Sequence, residues 1–157
     1  MDLIIRSSAL HGVGVYTTTP IAKDTRVLEY TGERIPANST DGMYDEVTYL
    51  FGLDGGKTVI DGFGMAAFVN HSCDPNCETD QIDGKIWIIA LRDVAAGEEL
   101  SYDYNIYDTE PGEKVPCYCG AANCRGTMIS EDELKRHKRI QRSKAKTQSR
   151  KPRSRRN

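Results

Sequence analysis

Three cysteines within eight residues, in Cys117-Tyr118-Cys119-Gly120-Ala121-Ala122-Asn123-Cys124, constrain this chain more than any other feature. Thiolates this close, with a glycine between them, can turn around one ion. Zinc takes four ligands in a tetrahedron, and thiolate suits it. Three are local, so the fourth must come from elsewhere. Cys73 and Cys77 are the candidates, and spacing alone does not choose between them. An odd total of five cysteines argues against a disulfide framework. Both candidates lie in the dense polar stretch Asn70-His71-Ser72-Cys73-Asp74-Pro75-Asn76-Cys77. Pro75 between turn formers makes this a tight loop. The apolar run Met65-Ala66-Ala67-Phe68-Val69 before it can anchor the loop to a core.

A chain of 157 residues fits one domain plus a short extension. No stretch approaches the ~20 apolar residues of a membrane helix. The start, Met1-Asp2-Leu3-Ile4-Ile5-Arg6, lacks the basic, apolar and small-residue parts of a secretory signal. An intracellular protein is the expectation. Short β-type segments separated by Gly, Asp and Pro dominate the body. Residues 2–6, 13–17, 25–30, 47–53, 57–60, 85–91 and 98–102 read as strands. Asp54-Gly55-Gly56 and Asp83-Gly84 read as turns between them. Residues 62–69 suit one or two helical turns. The pattern changes at Ser130-Glu131-Asp132-Glu133, a capping box that starts a helix running to about Ile140. Residues 142–157 lack an apolar cluster and are expected to be disordered when free.

The net charge of −2 conceals a division. From Lys135 to Asn157 there are 12 basic residues and no acidic one. The rest of the chain holds the other 9 basic and all 23 acidic residues, a net of −14. An acidic body suits a basic substrate. A basic tail, 135–157, suits nucleic acid or another polyanion.

Together these residues resemble a SET-domain protein-lysine methyltransferase with a post-SET zinc loop. The motifs come in the family's order. His11-Gly12-Val13-Gly14-Val15 resembles the Gly-x-Gly entry. Glu29-Tyr30-Thr31-Gly32-Glu33 follows, then Tyr49-Leu50-Phe51 and Asp61. Asn70-His71-Ser72-Cys73 is next, then Gly97-Glu98-Glu99-Leu100-Ser101-Tyr102-Asp103-Tyr104. Cys117-x-Cys119-x4-Cys124-Arg125-Gly126 closes the series. The resemblance implies a mainly β fold of small curved sheets in which the C-terminal segment threads under a loop as a pseudoknot. It divides the chain into a SET domain (1–108), a post-SET loop (113–129), a helix (130–141) and a basic tail (142–157).

The resemblance implies S-adenosylmethionine as methyl donor. Its contacts would be Gly12, Val13, Gly14, Tyr44, Asn70, His71, Tyr118 and Met128, with the glycines allowing close backbone approach. Tyr49 and Tyr104 would line the lysine channel, with Tyr104 beside the transferring methyl. Tyr102 stands where the family varies between Phe and Tyr, which implies mono- or dimethyl-lysine as product. The resemblance also chooses Cys73, with Cys117, Cys119 and Cys124, as the zinc set and leaves Cys77 spare. Ala67 departs from the arginine usual before the family's Phe-x-Asn-His segment.

The implied substrate is a basic protein tail, histone or histone-like, met by a monomer without membrane contact. The compact form leans toward a bacterial, cytoplasmic protein over a nuclear, chromatin-bound one. Two other readings remain. One is a weakly active or inactive zinc-stapled module held to chromatin or nucleic acid by its tail. The other is a tail that enters the acidic cleft as pseudosubstrate, or is itself methylated, with Lys135, Lys138, Lys144, Lys146 and Lys151 available.

Overall fold

The computed structural model describes residues 2–40 and 49–149. The chain divides into two compact units. The first is Met1–Asp103 with Cys119–Cys124; the second is Tyr104–Tyr118 with Arg125–Asn157.

The first unit is built of short strands, as the alternating pattern and frequent turn residues require. In chain order they are β1 (Leu3–Ser7), β2 (Val13–Thr17), β3 (Arg26–Tyr30), β4 (Gly32–Pro36), β5 (Leu50–Leu53), β6 (Thr58–Gly62), β7 (Asn70–His71), β8 (Cys77–Ile82), β9 (Lys85–Ala90) and β10 (Ser101–Tyr102). Strands β1 and β2 form an antiparallel pair, with Leu3 opposite Thr17 and Ser7 opposite Val13. A second sheet has the order β3-β9-β8-β10-β7, and a third the order β4-β6-β5. None of these sheets is closed.

The core follows from strand periodicity. Along β9, Ile86, Ile88 and Ala90 are buried while Lys85 is exposed. Val15, Ile88 and Leu100 are fully buried, and Val69 and Val94 nearly so. Asp83 and Gly84 both take positive φ, so a two-residue turn closes β8 onto β9 with Ile82 opposite Lys85.

The two-residue strands fix the central loop. Ser101 lies opposite Asn70 and Tyr102 opposite His71, in parallel. On its other edge Tyr102 faces Cys77. Strand β10 therefore runs between the two ends of the Asn70-to-Cys77 loop. Asn76 locks this arrangement. It is buried, and its Nδ2 donates to the Glu99 carbonyl at 2.7 Å and to Glu98 Oε1 at 3.0 Å. Its Oδ1 accepts the Ser101 N–H at 2.9 Å.

In the second unit, Ile106 bridges Ile129 and Pro116 bridges Thr127. Helix α1 (Glu131–Ser149) follows. The Ser130 hydroxyl caps it by accepting the Glu133 N–H at 3.2 Å. The Glu133 carboxylate does not complete the box. It accepts the Thr109 N–H at 2.8 Å and pairs with Arg136 at 2.6 Å. His137 Nε2 stands 2.8 Å from the Thr109 carbonyl and can donate to it. These buried polar groups tie the helix to the Thr109 turn.

Several sequence expectations differ from the structure. The helix continues past Ile140 to Ser149, into the stretch expected to be disordered. Gln, Arg, Lys and Ala there are good helix formers, and Pro152 is the first breaker. Strands β4 and β8 were not among the expected ones. The former has Gly and Pro at its ends, and the latter, Cys-Glu-Thr-Asp-Gln-Ile, is mostly polar. The expected strand over 98–102 shortens to Ser101–Tyr102. Residues 65–68 form one 3-10 turn.

Candidate functional site

The Gly12-Val13-Gly14 segment enters β2 from a turn organised by Ser8. The Ser8 hydroxyl accepts the Leu10 N–H at 2.8 Å, and the Ser8 N–H donates to the Gly12 carbonyl at 3.0 Å. Gly12 has φ of +51°, a left-handed conformation that favours glycine. Gly14 serves a different need. A side-chain carbon there would collide with the Glu99 carboxylate and stand 3.0 Å from Asn70 Nδ2.

Asn70 reaches this segment from β7. Its Nδ2 lies 2.9 Å from the Val13 carbonyl, 2.9 Å from Glu99 Oε1, 3.1 Å from Ser8 Oγ and 3.2 Å from the His11 carbonyl. An amide has two N–H donors, so it serves two of these four acceptors at a time. Glu99 gathers the rest. Ser8 Oγ donates to its Oε1 at 2.7 Å and Tyr16 Oη to its Oε2 at 2.7 Å. The adjacent Glu99 carboxylate raises the Tyr16 phenol above its ordinary pKa, keeping it a donor. The result is an acceptor-rich rim of two carbonyls and a carboxylate, suited to a positively charged group.

His71 is buried beside it. Its Nδ1 is 3.6 Å from Asp103 Oδ1, and its Nε2 is 3.4 Å from Cys73 Sγ. His71 thus joins the Asn70 region to the cysteine region. The sulfurs of Cys73, Cys117, Cys119 and Cys124 all lie within 4.8 Å of one another. The Cys73 N–H points at Cys119 Sγ, 3.4 Å away. The Asn123 amide donates to the Cys73 carbonyl at 3.3 Å. Four thiols around a tetrahedron with Zn–S bonds of ~2.3 Å would stand ~3.8 Å apart. The set therefore fits zinc in ligand number, softness and spacing. Cys77 is outside it. It is wholly buried in β8, and burial pushes its thiol up to about 12.

Two aromatic groups lie near β5 and β10. The Tyr49 ring is 5.9 Å from Phe68, and the Tyr49 carbonyl accepts the Tyr30 hydroxyl at 2.7 Å. Tyr49 is 42% exposed. Tyr102 is buried, 6.3 Å from Phe51, which in turn is 5.0 Å from Tyr30. Tyr104, Tyr118 and Met128 belong to the second unit. Tyr104 and Met128 are half-buried, whereas Tyr118 is 84% exposed. Ala67, in place of the usual arginine, is buried in the 3-10 turn before Asn70. Tyr44 lies outside the described residues.

The structure thus brings Gly14, Val13 and Asn70 together, and places His71 beside Cys73. Ser8, Tyr16, Asn76 and Glu99 were missed by sequence reasoning. Glu99 lies inside the Gly97-to-Tyr104 motif, but nothing in the linear pattern links it to Ser8 or Gly14.

The SET domain family matches residues 12–105. The chain is 42% identical over 136 residues to a histone-lysine N-methyltransferase, H3 lysine-4 specific, from Eremothecium gossypii, a match covering 77% of this chain and 14% of that protein. The protein so named from Saccharomyces cerevisiae is 42% identical over 136 residues, covering 77% of this chain and 12% of its own length. The histone-lysine N-methyltransferase trr of Drosophila melanogaster is 37% identical over 140 residues, covering 81% and 6%. The chain therefore spans no more than about a seventh of these relatives. They come from fungi and a fly, so the lean toward a bacterial source has no support. Among the described residues, no helix is long and apolar enough to cross a membrane.

Proposed function

Because this chain belongs to the SET-domain family, we propose that it transfers a methyl group from S-adenosylmethionine to the ε-amine of a lysine in a histone or histone-like tail. The observation that carries this reading is the contact of Asn70 Nδ2 with the Val13 and His11 carbonyls. It joins two family motifs that are far apart in the chain. The relatives' names supply the histone substrate, and chromatin in the nucleus follows from it.

The bound donor supplies an electrophilic methyl on a sulfonium. The chain's own residues do the rest. The carbonyls of His11 and Val13, with Glu99 behind them, suit the donor's ammonium. Asn70 and His71 would also hold the donor, and Tyr118 and Met128 are proposed as further contacts. The incoming lysine must be neutral, although its free pKa is ~10.4. Desolvation against aromatic walls lowers that value. Tyr49 supplies one wall, with Tyr104 orienting the amine so that its lone pair lies in line with the breaking bond. The phenol of the buried Tyr102 takes up room that further methyl groups would need, which favours mono- or dimethyl-lysine. Cys73, Cys117, Cys119 and Cys124 would hold a zinc ion, which would fix the post-SET loop.

Incubating the zinc-loaded protein with methyl-labelled donor and core histones, followed by amino-acid analysis, tests the reading. Label in methyl-lysine is the expected result. Label in methyl-arginine, or none on any histone, contradicts it.

A further inference from the structure

Helix α1 carries its charges unevenly. Acidic residues are confined to Glu131, Asp132 and Glu133 in the first turn. From Lys135 onward every charged side chain of the helix is basic. Lys135, Arg136, Lys138, Arg139, Arg142, Lys144 and Lys146 are all exposed. An α-helix turns about 100° per residue. On that wheel Lys135, Lys138, Arg139, Arg142 and Lys146 fall within an arc of about 100°. Glu133 and His137, the buried residues that tie the helix to Thr109, lie on the opposite side. The docked face and the basic face are thus back to back.

The start of this stripe is paired. Lys135 is bonded to Asp132 at 2.9 Å, and Arg136, off the stripe, is bonded to Glu133. Lys138, Arg139 and Arg142 form the middle, a turn or more beyond the acidic residues. The stripe runs about 16 Å from Lys135 to Lys146, at ~1.5 Å rise per residue. Its surroundings exclude a membrane-surface helix, which needs a broad apolar face opposite its charges. Leu134 and Ile140 are half-buried, and residues 141–146 add only Ala145.

We infer that this stripe is a docking surface for duplex DNA, held through the phosphate backbone without sequence preference. Duplex DNA presents about one negative charge per ~1.7 Å of axis, so a straight row of cations meets several phosphates at once. Five further basic residues after Ser149 extend the same charge in the sequence. This contact is separate from methyl transfer. It would hold the protein on chromatin, whatever the reaction rate on a lysine.

The test uses the full chain and a short mixed-sequence DNA duplex, with binding read by fluorescence anisotropy over a salt series. The parent is expected to weaken linearly with log salt, with a slope of about 0.9 per phosphate neutralised. The triple variant Lys138→Gln/Arg139→Gln/Arg142→Gln should bind at least tenfold more weakly and lose between about 2 and 3 from that slope. Lys144→Gln, off the stripe, should lower the slope by less than 1. Circular dichroism checks that the variants keep the helix. An unchanged slope in the triple variant overturns the inference. So does binding to polyglutamate or phosphatidylserine vesicles as tight as binding to DNA. Histone methylation by the same triple variant should be unchanged on free peptide, so a failed methyl-transfer reading leaves the DNA result standing.

Discussion

Asn70 Nδ2 stands 2.9 Å from Glu99 Oε1, and the same oxygen accepts the Ser8 hydroxyl at 2.7 Å. Glu99 therefore sets the position of both sides of the proposed donor pocket. Replacing it with Gln keeps the shape but removes the charge and turns one acceptor into a donor. That leaves the buried Tyr16 hydroxyl or the half-buried Ser8 hydroxyl without a good partner, a cost of up to about 1–3 kcal/mol where the orphaned group is buried. Glu99→Gln should raise KM for the methyl donor about tenfold or more, with KM for the peptide little changed. A purely structural role would instead lower the active fraction and leave both KM values alone. Steady-state kinetics with each substrate varied in turn separates the two.

Asn76 is the corresponding fixture on the other end of the loop. All three of its side-chain hydrogen bonds reach the 98–101 segment. Asn76→Ala should cost roughly 2–4 kcal/mol, because it leaves the buried Ser101 N–H and Glu99 carbonyl unpaired. Urea unfolding followed by tryptophan fluorescence measures it.

The four-thiol cluster predicts a sharp contrast between neighbouring cysteines. Cys73→Ser should lose stoichiometric zinc and methyl transfer together. Cys77→Ala should keep one equivalent of zinc, since its sulfur is outside the cluster. Elemental analysis of purified protein reads both. Removing zinc from the parent with a chelator should abolish activity, and readdition should restore it; full turnover by metal-free protein would refute the link.

Acid should loosen the fold in a defined window. The Arg92 guanidinium holds Glu98 down at about 2, and Arg136 holds Glu133 at about 2, against an ordinary value of 4.5. A depressed folded-state pKa means that the ionised form is favoured by folding. The stability from both groups is complete above about 4.5 and is lost as pH falls toward about 2. Glu133→Gln should remove the helix-docking part of that dependence. Thermal melts between neutral pH and pH near 2 check the sign and the window.

Parts of this architecture were legible because their signals are local. Lys85-Ile86-Trp87-Ile88-Ile89 announces a strand, Asp83-Gly84 its turn, and Ser130 its helix cap. The spacing of Cys117, Cys119 and Cys124 points toward a metal site, and the fold brings Cys73 to them. The rest depends on partners far away in the chain. Ser8 and Glu99 are 91 positions apart, and Asn76 and Ser101 are 25 apart. Each is an ordinary polar residue until the fold brings them together. Two-residue strands such as β7 and β10 are too short for periodicity to reveal. The end of α1 lies beyond the expected one because high charge resembles disorder in sequence, although Lys, Arg, Gln and Ala favour helix.

The proposed methyl transfer requires Tyr104 to stand beside the reacting amine. The most direct measurement is single-turnover transfer from labelled S-adenosylmethionine to a histone tail, run with the parent and with Tyr104→Phe. The parent should give methyl-lysine, and loss of the orienting hydroxyl should slow transfer about a hundredfold while zinc content stays the same. Equal rates for the two proteins, or no methyl-lysine from the parent, would contradict it.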